Sequence, residues 1–107
     1  MCIRDRLAAR AAPPDRRSFQ WWSLGTLLHF GGDGNGALHA FRRGLRWSHA
    51  DRPLIAGHAA WVELEMGEPV EDLDGVIRAL EESPRARTGY GGLVLGMLRY
   101  HLSLIHI

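Results

Sequence analysis

Residues 21–41 read WWSLGTLLHFGGDGNGALHAF. With Phe19 just upstream, the aromatic and aliphatic residues Trp21 or Trp22, Leu24, Leu28 and Phe30 recur at spacings of three and four, which places them on one broad face of a helix. The run GGDGNG breaks that helix, because clustered glycines favour turns. A second periodic segment follows, with Ala37, Leu38, Phe41 and Leu45 on one face and Arg42, Arg43 and Arg46 towards solvent. Asp33 or Asn35 is placed to accept from the free amides of its first turn. Two amphipathic helices joined by so short a turn make an antiparallel hairpin.

The rest of the interior follows the same rhythm. Upstream, RLAARAA stops at Pro13 and Pro14, which remove amide donors. Downstream, PLIAGHAAWVELEM carries Leu54, Ile55, Ala59, Val62 and Met66 on a stripe, with Pro53 suited to a first turn and Gly67 to the end. In PVEDLDGVIRALEE the apolar set is Val70, Leu73, Val76, Ile77 and Leu80, and Ser83 with Pro84 stops it. A last helix, from Thr88 or Gly89 to His101, carries Tyr90, Leu93, Val94, Met97 and Leu98. Alternating strand patterns and runs of β-branched residues are missing, so the expected class is all-α.

Set against one another, the hairpins repeat. Trp21, Leu24, Gly25, Leu28, Gly32, Ala37 and Phe41 fall in the register W-x₂-L-G-x₂-Y…A-x₃-F…P, and the segment resembles the tetratricopeptide repeat (TPR), a helix-turn-helix unit of about 34 residues. Gly44 takes the later small position, and His49 stands in place of the closing proline. A degenerate second unit fits with Ala59, Ala60, Gly67, Val76, Ala79, Leu80 and Pro84, although Glu63 and Asp72 depart from the pattern. Leu95-Gly96 then echoes Leu24-Gly25. The resemblance implies antiparallel hairpins stacked as a short TPR-like solenoid: residues 7–17 the end of a preceding repeat and turn, 18–52 a first repeat, 53–87 a second, 88–101 the first helix of a third. It implies repeat packing through Trp21, Leu24, Gly25, Ala37, Phe41, Ala60, Val76, Ala79 and Gly96, because each hairpin alone leaves an apolar face wet. It also implies a concave groove formed by the first helices, presenting Phe19, Trp22, Thr26, His29, Trp61, Glu65, Tyr90, Met97 and Tyr100 to a protein or peptide partner.

The two ends differ from the interior. Of the isoleucines, Ile3, Ile105 and Ile107 lie in the terminal hexapeptides, and the charged interior uses arginine without lysine. A DNA strand encoding LSLIHI is the reverse complement of one encoding MCIRDR, and both resemble a translated transposon-end adapter used in sequencing libraries. Residues 1–6 and 102–107 are therefore expected to be adapter-derived, with the remainder a fragment of a longer bacterial protein.

Composition closes off several functions. The formal net charge is +1, and setting aside Arg4, Arg6 and Asp5 leaves the charges balanced, so no bulk electrostatic case for nucleic acid arises. No apolar run reaches membrane-spanning length, and no membrane insertion is expected. The single cysteine, Cys2, lies in the suspect N-terminus, leaving no thiol for a metal site or a nucleophile. GGDGNG lacks the preceding strand and following Lys-Ser/Thr of a phosphate loop and the ligand spacing of a calcium loop. His29, His39, His49, His58 and His101 show no pair one helical turn apart, as zinc would use; only His29 and His39 look able to face each other across a hairpin. The acids Glu63, Glu65, Glu68, Glu71, Asp72 and Asp74 read as a solvated face rather than an acid-base pair.

A non-catalytic binding scaffold without cofactor or metal is therefore the expected function. The competing expectation is an accessory helical region of a multidomain enzyme or transcriptional regulator whose active part lies elsewhere. A small helical enzyme or metal protein would need two histidines converging with a carboxylate. The compartment is not readable from the sequence, with the cytoplasm slightly favoured.

Overall fold

The computed structural model describes residues 14–47, 52–83 and 89–105, with only the backbone described at 14–16. The expected RLAARAA helix and His49 lie outside the described residues. Within them the chain is all-helical, without strands: α1 (Pro14–Phe30), α2 (Gly34–Leu45), α3 (Arg52–Glu65), α4 (Leu73–Glu82) and α5 (Tyr90–Ile105). Each helix packs on the next, and α3 also packs on α5. This succession of neighbours fits a helical-repeat-like arrangement.

Boundaries moved in both directions. The first helix begins at Pro14 rather than Ser18, since proline opens a helix readily: its missing amide is one the first turn cannot use. Residues 14–17 thus belong to α1 and not to a preceding turn. The expected helix from Pro69 instead starts at Leu73. Asp72 is its N-cap, in the left-handed region at φ 55°, and its carboxylate accepts from the Gly75 amide at 3.2 Å. Asp33 caps α2 in the same way, accepting from Gly36 at 2.9 Å. The last helix runs four residues past His101, through Ile105.

The caps carry a measurable consequence. Asp33→Ala should cost about 1 kcal/mol in urea unfolding. Asp72→Ala should cost about 1–2 kcal/mol, since alanine loses the cap and resists the left-handed backbone, whereas Asp72→Asn keeps both and should cost far less.

Two apolar clusters form the core. One gathers Ala37, Leu38 and Phe41 of α2 with Ile55, Ala59 and Val62 of α3. The other joins Ala60 and Trp61 of α3, Leu73, Ile77 and Leu80 of α4, and Val94, Leu95 and Leu98 of α5. Helix α3 belongs to both, and Gly57, His58, Ala59, Ala60, Trp61 and Val62 are buried in unbroken succession. It has almost no solvent face, which is what a helix flanked on all sides requires.

Close approach occurs where the small residues stand. A methyl group at Gly25 would overlap the Phe41 ring, and one at Gly57 would lie 3.1 Å from Leu80 and 3.3 Å from Val94. Other packing expectations need correcting. Ala79 is exposed on α4, and Gly96 is exposed with nothing within 4 Å of the place its Cβ would take, because no described helix covers that side of α5. Trp21, Leu24 and Val76 are half-buried rather than core; the Arg43 guanidinium lies over the Trp21 ring, 5.4 Å from its centre.

Candidate functional site

Helices α1, α3 and α5 bring their aromatic residues together. Trp22 meets Tyr90 edge-on, ring centres 5.2 Å apart. Phe30 lies 6.3 Å from Tyr90 and 6.5 Å from Trp61. His58 stacks on Trp61 at 5.1 Å and is nearly parallel to Tyr90 at 6.1 Å. His29 sits among them, edge-on to Trp61 at 4.7 Å and stacked on Phe30 at 5.3 Å. Edge-on and offset contacts of this kind suit the ring quadrupole. The cluster fills the wedge between α1 and α3, and Tyr90 of α5 abuts it.

A chain of polar contacts runs through the rings. His29 Nε2 is 2.8 Å from Glu65 Oε2, and His29 Nδ1 is 3.0 Å from His58 Nε2. Since the Glu65 carboxylate accepts from the Nε2–H of His29, the Nδ1 of a neutral His29 is bare, and His58 must donate to it from Nε2. The second nitrogen of His58 is then a bare acceptor. It is buried, as are the indole nitrogens of Trp22 and Trp61, and all three lack a hydrogen-bond partner among the described residues. Burial, then the neighbouring His29, lowers the His58 pKa from 6.5 to about 3, holding the ring neutral.

The residues expected in the groove divide three ways. Phe19 and Tyr100 are exposed, each at 57%. Trp22, Thr26, Tyr90 and Met97 are half-buried, and the Thr26 hydroxyl donates back to the Trp22 carbonyl at 2.8 Å. Trp61 is only 6% exposed and belongs to the core rather than to a presented surface, because α3 is covered on every side. The His29 side chain is 7% exposed and Glu65 41%, so the carboxylate marks the rim. The histidine pairing differs from expectation too: His29 faces His58, while exposed His39 takes a bond from Arg43 on its own helix at 3.2 Å.

Phe30 and His58 were not singled out by the sequence as part of this surface. Phe30 ends its helix beside the glycine turn and is 59% exposed. His58 falls off the Ile55–Ala59–Val62 stripe, and only knowledge that α3 is central would have placed it inside.

The two histidines and Glu65 form a line, not a converging set. Among the described residues, no group of three or more His, Cys, Asp or Glu side chains is arranged to hold a metal ion. Nor, among the described residues, is any helix long and apolar enough to cross a membrane. No protein-family model matches this chain, nor does any curated protein or solved structure.

Proposed function

We propose that the chain is a non-catalytic scaffold segment of a longer bacterial TPR-like protein, and that it holds a protein or peptide partner on the side where α1, α3 and α5 meet. One observation carries the reading: aromatic side chains from α1, α3 and α5 gather together, with Phe19 and Phe30 left exposed beside them and Tyr100 exposed further along α5. Amphipathic rings anchor partners at low entropic cost. The Glu65 carboxylate, held on His29 at the rim, adds a polar contact that orients what lies there.

Selection of displayed peptides against the 107-residue chain tests this. Enriched peptides should shift the NMR signals of Phe19, Phe30, Tyr90 and Tyr100 and leave the outer faces of α2 and α4 unmoved. Tyr100→Ala or Phe19→Ala should weaken them about tenfold or more, as loss of an aromatic anchor does. Failure to enrich any peptide, or binding that maps to α2 and α4, would refute the reading.

A further inference from the structure

At the His29–His58 contact, two imidazole rings from different helices meet inside the wedge. The line Glu65···His29···His58 is fully used in its neutral form: each donor has an acceptor, and only the bare Nδ1 of His58 is left over. A proton added to His58 would sit on its buried Nδ1, which has no partner among the described residues, so the charged ring would carry a donor with nothing to receive it.

We propose that this histidine pair is an acid-labile latch, closing the wedge between α1 and α3 at neutral pH and releasing α1 when His58 is protonated.

The surroundings offer an added charge little relief. From α1, His58 is faced by His29 and Trp22; from α2 by the Phe41 ring, 4.6 Å between centres; from α5 by Tyr90. On α4, Leu80 lies beside neighbouring Gly57. Glu65, on α3 itself, reaches the pair only through the far nitrogen of His29. The folded value of His58, about 3, lies below the ordinary 6.5, so the opened ring binds the proton first. The latch therefore holds above about pH 6.5 and weakens as the pH falls toward 3. Release is local because the core of α3, α4 and α5 is built mainly of Leu73, Ile77, Leu80, Val94, Leu95 and Leu98, and His58 meets it at its edge, on the rings of Trp61 and Tyr90. The inference rests on this geometry alone and stands whether or not a peptide binds the rim.

Amide hydrogen exchange on the full chain, corrected for the intrinsic pH dependence of exchange, reads the opening directly. Between about pH 6 and 4 the opening constant of α1 should rise about tenfold per pH unit, while α4 and the buried turns of α5 change far less. His58→Phe, which keeps an aromatic ring and removes the titration, should flatten that dependence. His58→Gln, which removes the titration and whose amide can still donate to His29 Nδ1, should do the same should the first variant fold poorly. Loss of protection in α1, α4 and α5 together, or an unchanged pH dependence in a folded variant, would overturn the latch.

Discussion

Replacing Phe41 with alanine should lower the unfolding free energy by about 3–5 kcal/mol, the range for a large aromatic removed from a closed core. Phe41 is fully buried. One side of its ring lies on the α1 backbone at Gly25, and the ring also packs near His58 of α3, 4.6 Å between centres. It is thus the side chain through which the first hairpin grips the second. Collapse of the hole is resisted from both sides, since Gly25 has no side chain to move inward and His58 is held by His29. Equilibrium urea denaturation of the variant against the parent measures the loss. A cost under about 1 kcal/mol would match an ordinary surface site and would mean that the ring does not lie where the geometry puts it.

The opposite change, filling the space, should also be damaging, though less so. A Cβ at Gly25 overlaps the Phe41 ring, whose Cζ would be only 2.9 Å away. Gly25→Ala inside a helix ordinarily gains up to about 1 kcal/mol from reduced chain entropy. Here overpacking of about 1–3 kcal/mol opposes that gain, and a net loss is expected because the obstacle is a ring locked in the core rather than a flexible tip. Combining Gly25→Ala with Phe41→Leu separates the two terms. If the clash is the cause, alanine at 25 should be neutral or stabilising beside the smaller leucine, giving a coupling between the sites of about 1 kcal/mol or more. Additive losses would show that residue 25 and the ring do not touch.

The sequence revealed the helices and their hairpin order because that information is local. Threes and fours of apolar residues, a glycine turn and a cap at Asp33 act over one or two helical turns. Gly25 and Phe41 were each legible as packing residues, but that they meet one another was not, because the contact joins different helices. The side on which α3 is buried was not legible. Its Ile55–Ala59–Val62 stripe suggested a single inward face, yet His58 and Trp61 are inside too, because neighbours from both directions along the chain enclose it. The histidine partnership failed for the same reason: His29 and His58 lie on helices that do not follow each other, and nothing local records which ring will meet which. Asp72, out of place by the repeat pattern, makes sense once it is seen as a cap in a left-handed turn.

The meeting of Trp22 and Phe30 with Tyr90 also bears on the order in which the molecule assembles. Most helix pairs are neighbours along the chain, so their union closes short loops at small entropic cost. These ring contacts instead tie the first described helix to the last, and the intervening hairpins must be in place before the rings can find each other. The aromatic wedge is therefore expected to form late in folding, and the surface proposed to receive a partner to depend on the packing of all the helices between.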